Sequence, residues 1–293
     1  MTQLSPEYAA VLDAVRGIGW PARRRAGTTM AGPHQSAARG GAAELVEYRP
    51  YRQGDETSRI DWRLMARTNR VYTRISFDHT ILPTMLVVDA SASMAFPVAT
   101  HAKWRLARQL AVGLAGLARD RGDPVGLLVA DDHRVVLLRP RTRRTIIGLM
   151  TEALDREPAG QRALAPLLPP VTGAASRIVV LSDCLGDSDA IREVLRSFVL
   201  SGGELYVVHI VAGEELDPDP ARQLLVDPEA PAVRRPLTTR TRSAYLQRFG
   251  AWREALARDW RELGASYSMV VPAAEPVRQM IRRIVRPAVP PSR

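Results

Sequence analysis

The chain of 293 residues has a single cysteine, Cys184, so no intrachain disulfide can form. That fits a reducing compartment and sets aside the disulfide-stapled secreted folds. Lysine is almost as scarce: Lys103 is the only one, and every other basic side chain is arginine or histidine. A P-loop NTPase needs Gly-Lys-Ser/Thr, and here Trp104 follows the sole lysine. Neither Gly-x-Ser-x-Gly nor His-Glu-x-x-His occurs, which sets aside the serine-hydrolase elbow and the zincin motif. No apolar run approaches the roughly 20 residues that cross a bilayer. The richest stretch, Ile81 to Val98, is interrupted by Pro83 and Asp89. Met1 to Pro6 lacks a basic-then-apolar leader pattern, so a cytoplasmic protein is expected. Aromatics are 5% of the chain, and the core must come from Val, Leu, Ile and Ala. The net charge of +10 would attract acidic partners. The arginine skew reads as compositional bias, however, and no nucleic-acid-reading motif accompanies it, so specific nucleic-acid binding is not expected.

What is present is an alternation of strand and helix signals. Pro6 to Ile18 reads as a short helix, and Trp20 to Gly41 as an extended or mobile arm rich in Arg, Gly, Ala and Thr. Glu44 to Phe77 reads as two or more short strands, with turn chemistry at Gln53-Gly54-Asp55. Met85 to Val88 and Arg177 to Leu181 are short continuous apolar runs, as in strands covered on both faces. Val125 to Ala130 and Val135 to Leu138 flank Asp131-Asp132-His133 as a hairpin, and further strands are expected at Leu205 to Val211 and Ser266 to Val271. Helical spacing marks His101 to Arg119, Ile146 to Leu154, Ala190 to Val199, Thr241 to Leu263 and Pro276 to Val285. Pro218 to Pro236 reads as a connector. The expected class is α/β, a mostly parallel sheet flanked by helices, with a small β-containing extension before it. The segments are an N-terminal helix and arm (1–40), a β subdomain (41–80) and the α/β domain (81–293).

Ligands of such sheets bind beyond the carboxyl ends of the strands. Asp89-Ala90-Ser91-Ala92-Ser93 comes directly after the first buried strand, and Ser182-Asp183 after a later one. A carboxylate and two hydroxyls at alternating positions of a tight loop offer hard oxygens for Mg²⁺, Mn²⁺ or Ca²⁺, and Asp183 is the natural second carboxylate. The competing account makes Ser91 and Ser93 caps of the next helix and Asp89 a turn residue. An aspartyl phosphatase nucleophile at Asp89 is the enzymatic alternative, although such enzymes want an acid where Ser91 stands. Cys184 reads as a packing residue, and Arg23 to Arg25 and Arg141 to Arg144 as solvated basic loops.

Asp89-x-Ser91-x-Ser93-Met94 resembles the first loop of the metal-ion-dependent adhesion site of von Willebrand A domains. Upstream, Tyr48-Arg49-Pro50-Tyr51-Arg52-Gln53-Gly54-Asp55, then Arg59-Ile60-Asp61-Trp62, then Ala66-Arg67-Thr68 resemble the signature of the bacterial domain-of-unknown-function family 58. The resemblance implies a von Willebrand A-like fold, metal held by Asp89, Ser91, Ser93 and Asp183, and a partner that is a MoxR-type AAA+ ATPase or its client. It implies a non-enzymatic adaptor or co-chaperone, with a scaffold carrying a degenerate metal site as the alternative. The adhesion site usually takes a threonine from a second loop. Its place here is Gly160-Gln161-Arg162, with Gln161 at the ligand position, while Thr172 precedes a strand and belongs to the opposite sheet edge. Arg162 near the site would oppose a cation. Tyr51, Gly54, Asp55, Arg59, Asp61, Trp62 and Arg67 are expected to form a buried polar network or, alternatively, a partner-binding face.

Overall fold

The computed structural model describes residues 4–22, 46–52, 57, 60–76, 81–143, 145–219, 224–226, 234–236 and 238–286. The chain divides into two units, one formed by Met1–Arg23 with Ile81–Arg293 and the other by Arg24–Thr80. The larger unit is built on six strands: β3 (Thr84–Asp89), β4 (Val125–Ala130), β5 (Val135–Arg141), β6 (Arg177–Ser182), β7 (Glu204–Ile210) and β10 (Ser266–Val270). Their order is β10-β7-β6-β3-β4-β5, parallel throughout except for β5, which returns antiparallel on β4 as the expected hairpin.

All six residues of β3, β4 and β6 are buried because the sheet is covered on both faces. The pleat sends alternate side chains to opposite layers. Leu86 and Val88 join one core with α3 (Ala102–Asp120), α4 (Ile146–Leu154), α9 (Val277–Val285) and α1 (Pro6–Val15). Met85 and Val87 join the other with α5 (Pro169–Thr172), α6 (Ser188–Leu200) and α8 (Thr239–Glu262). Such runs of apolar residues are what a doubly covered parallel sheet demands. A mostly parallel sheet between helices, with Asp-x-Ser-x-Ser at the end of a central strand, is the von Willebrand A-like architecture expected from the sequence.

The N-terminal helix forms as read, and of the arm read from Trp20 to Gly41 all but residues 20–22 lie outside the described residues. α1 packs on α3 where glycines allow close approach: a Cβ on Gly116 would lie 2.5 Å from Leu12 Cδ2, and one on Gly113 3.1 Å from Val11 Cγ1. Trp20, assigned to the arm, is fully buried, edge-on to Tyr206 with ring centroids 5.6 Å apart. Residues 4–22 therefore group with the sheet. The connector from Pro218 to Pro236 also holds more than expected, a short antiparallel pair of β8 (Leu224–Val226) and β9 (Arg234–Pro236). Among the described residues no helix is long and apolar enough to cross a membrane.

In the smaller unit, β1 (Val46–Pro50) pairs antiparallel with β2 (Tyr72–Ser76), and a helix not anticipated, α2 (Trp62–Thr68), lies between them in sequence. Asp61 caps it by accepting from the Leu64 N–H at 2.9 Å, and Asn69 ends it in the left-handed region at φ 54°. Trp62 is 60% exposed and Arg67 is exposed, which corrects the expectation of a buried network around them. An N-cap must stand at the helix end, so backbone geometry places Asp61, and no residue of α2 is buried. Tyr51 is half-buried; Gly54, Asp55 and Arg59 lie outside the described residues.

Candidate metal centre at the strand ends

Parallel alignment of β3, β6 and β7 brings the loops after them to one sheet edge. Asp89 closes β3, and Val88 registers with Leu181. Asp89 Oδ1 accepts from the Ser91 N–H at 2.9 Å, and its Oδ2 from the Ser182 hydroxyl at 2.6 Å. Ser91 Oγ and Ser93 Oγ stand 3.1 Å apart, both buried. Ser91 precedes the 3₁₀ turn Ala92–Ala95 and makes no side-chain capping bond, while the N-cap of α3 is His101. Neither hydroxyl is therefore spent in the way the capping account requires, although Asp89 does form the turn that account foresaw.

The site is buried and holds more carboxylates than cations. Burial, then the neighbouring Asp183 carboxylate, push Asp89 up to about 6 despite hydrogen bonds from Ser182 and Ser91. A cation near Asp89 would relieve that cost. The donors fit one: a carboxylate and two clustered hydroxyls are hard oxygens, with water or a partner to complete the shell. Among the described residues no three His, Cys, Asp or Glu side chains form a ready-made cage.

Asp183 has a partner the sequence reading missed. Lys103, in the first turn of α3, is fully buried, with Nζ 2.7 Å from Asp183 Oδ2 and 2.9 Å from Glu215 Oε1. Asp183 Oδ1 also accepts from the Leu185 N–H at 3.2 Å. Burial alone would lower the Lys103 pKa, but the two carboxylates outweigh it and the pKa is raised, so the ammonium stays charged. Glu215 lies in α7 (Gly213–Leu216), directly after β7, and its other oxygen accepts from the Ala212 N–H at 2.7 Å. Glu215 carried a signal, since it comes after a third buried strand to which the strand-end rule applies equally, whereas Lys103 stood out only as the one lysine of the chain. Beside them, His209 Nδ1 is 2.5 Å from the Tyr267 hydroxyl, and burial pushes the imidazole down to about 4.

The second loop is where the sequence placed it. The Ala92 N–H donates to Gly160 O and the Ala159 N–H to Ala90 O, each at 2.9 Å, so the Gly160 segment runs against the serine loop. Gly160 has φ 75°, and a Cβ there would meet the Asp132 carboxyl at 1.9 Å. Gln161 is exposed, and its N–H donates to Asp132 Oδ1 at 3.1 Å. Arg162 donates to the carbonyls of Asp131 (2.6 Å) and Asp132 (2.8 Å), which ties its charge to the β4–β5 turn. Thr172 sits before β6, at the opposite end of the strands from Asp183. Cys184 is buried among these groups; burial, then Asp183 and Asp89, push its thiol up, as for an unreactive packing residue.

The profile of the family described as "Protein of unknown function DUF58" matches residues 47–255. The chain belongs to the DUF58 family. Its relatives include an uncharacterized protein of Mycobacterium tuberculosis, 28% identical over 269 residues, covering 89% of this chain and 83% of that protein. An uncharacterized protein of Mycobacterium bovis matches with the same figures. Solved structures similar to this DUF58 chain include the conserved hypothetical protein BatB from Bacteroides thetaiotaomicron, at 14% identity and TM-score 0.43, covering 69% of this chain and 96% of that one. An aerotolerance-related membrane protein from Bacteroides fragilis gives 16% identity, TM-score 0.42 and coverage of 69% and 95%. The SpRpn10 VWA domain gives 10%, 0.36, and 68% and 92%.

Proposed function

We propose that this DUF58 protein is a cytoplasmic, non-enzymatic protein-binding module whose contact is bridged by a divalent cation, Mg²⁺ or alternatively Mn²⁺ or Ca²⁺. The observation that carries the reading is the pair of Ser91 and Ser93 hydroxyls, 3.1 Å apart beside a buried carboxylate whose bonds come from neutral donors. Asp89, Ser91 and Ser93 would hold the ion, with Asp183 supporting it and Gln161 at the rim of the second loop. A bound ion supplies an open coordination position for a carboxylate of the partner, which makes the contact directional and chelator-sensitive. The partner proposed is a MoxR-type AAA+ ATPase or its client, a choice supported by the family resemblance alone. The alternative, a scaffold with a degenerate site, draws on the absence of a second-loop threonine.

The test is capture of a purified MoxR-type ATPase in Mg²⁺, in EDTA, and with Asp89→Ala. Capture in Mg²⁺ that falls at least tenfold in the other two arms is expected. Equal capture in all three removes the metal bridge, and no capture in any removes the ATPase partner.

A further inference from the structure

The sole lysine of a chain with 40 arginines lies fully buried between two carboxylates at the strand-end site. Everywhere else this sequence meets its need for positive charge with a guanidinium. An ammonium differs in being a compact point charge on a long apolar stem, whereas Arg presents a wide planar fork. Here Nζ sits 2.7 Å from Asp183 and 2.9 Å from Glu215, with the Phe96 ring centroid at 5.7 Å. Phe96 closes the turn that carries Ser93, and its carbonyl accepts from the Lys103 N–H at 3.3 Å. One side chain thus ties together the loops after β3, β6 and β7.

We infer that Lys103 is a built-in cation that sets the divalent-ion affinity of the site, by occupying Asp183 and leaving Asp89, among the described residues at the strand ends, as the carboxylate free to bind the ion directly. The inference rests on the metal reading for its biological use, yet it concerns the charge balance of this chain's own residues. Asp183 and Glu215 share the ammonium, while Asp89, beside Asp183, is not paired with it. The positive charge also repels an incoming cation. A site with one available carboxylate and two hydroxyls binds weakly, and its affinity rises when a partner contributes a further carboxylate. Lys103 is therefore a positioning residue, making tight metal binding conditional on the partner.

The experiment is Mn²⁺ titration of the full chain, followed by electron paramagnetic resonance and by melting temperature, for the wild type, Lys103→Met, Lys103→Gln and each of these combined with Asp89→Asn. Removing the ammonium frees two carboxylates, and because ligand charge count governs such affinities, Mn²⁺ is expected to bind at least about tenfold tighter. The metal-free Lys103 variants should melt lower than wild type, with Mn²⁺ restoring them by a larger increment than it gives the wild type. Lys103→Gln keeps a donor for Asp183 and serves if the Met variant does not fold. Mn²⁺ binding through Asp89 that is no tighter in the folded Lys103 variants overturns the inference and leaves the metal reading standing. Binding seen only in the Lys103 variants, and lost with Asp89→Asn, upholds the inference and overturns the metal reading for the natural protein. No Asp89-dependent binding in any variant overturns both.

Discussion

The two ends of the parallel sheet each bury one cation between two carboxylates, and the contrast between them separates a site from a buttress. At the strand starts, Arg177 is fully buried, 2.9 Å from Glu204 and 3.5 Å from Asp123, with its guanidinium 4.3 Å from the Trp20 ring centroid. At the strand ends, Lys103 holds Asp183 and Glu215 in the same manner. A buried ion pair is therefore not in itself a mark of function, since the sheet uses one where it only needs closing. The strand ends differ by a third carboxylate, Asp89, and by two adjoining hydroxyls with no capping role. Surplus negative charge beside hard oxygens is what a cation site requires and a buttress does not.

The comparison is most exposed at Arg177. Arg177→Met leaves Glu204 and Asp123 buried without their cation and should destabilise the fold by about 3–5 kcal/mol in denaturant titrations. Mn²⁺ binding by the remaining folded protein should be unchanged. A loss below about 1 kcal/mol, or a change in metal affinity, would show that the two ends are not the buttress and site described. A somewhat smaller effect is expected at His209, near the strand-end cluster. Its pKa falls from 6.5 to about 4, chiefly through burial. A folded-state pKa below the unfolded one gives stability that is present above pH 6.5 and lost as pH falls through 4. The span corresponds to roughly 3 kcal/mol. In His209→Gln, which keeps a hydrogen-bonding group near Tyr267, stability measured from pH 7 to 4 should lose that component. If both proteins lose stability in parallel over the range, His209 is not an acid-sensitive member of this end.

The strand ends were legible in the sequence as far as backbone pattern reaches. A continuous apolar run such as Met85–Val88 fits a doubly covered strand, and the residues just after such a strand lie at the binding edge. That placed Asp89, Ser91, Ser93 and Asp183 at the strand ends, whereas the position of Gly160-Gln161-Arg162 came only from the family resemblance. Lys103 and Glu215 escaped because they are 112 residues apart and meet only through tertiary packing. A lysine in an amphipathic helix ordinarily points to solvent, and nothing local shows that this one does not. Trp20 was lost for a related reason: Arg- and Gly-rich neighbours suggest an open arm, whereas its burial is set by Tyr206 and Arg177 far along the chain. α2 was hidden by a charge-dense segment in which no residue of the helix is buried, so that no apolar periodicity announces it.

The finest discrimination between the two ends comes from Asp89 itself. A carboxyl whose pKa is raised from 3.8 to about 6 favours the fold when protonated. That stability is fully present below pH 4 and is lost as pH rises through 6, a cost of roughly 3 kcal/mol at neutral pH without metal. Asp89→Asn removes the charge while Ser91 can still donate to the side-chain oxygen. It sacrifices the acceptor of the Ser182 hydroxyl, worth about 1 kcal/mol. Asp89→Asn should therefore be about 1–2 kcal/mol more stable than wild type at pH 8 in EDTA, with the advantage gone at pH 4 and reversed by saturating Mn²⁺. Burial raises the Asp123 pKa as well, but Arg177 depends on the charge of its carboxylates, so neutralising one of them also breaks the ion pair. If Asp89→Asn were less stable at pH 8, Asp89 would be closing the sheet as Glu204 does at the other end, and the surplus charge that sets the strand ends apart would not exist.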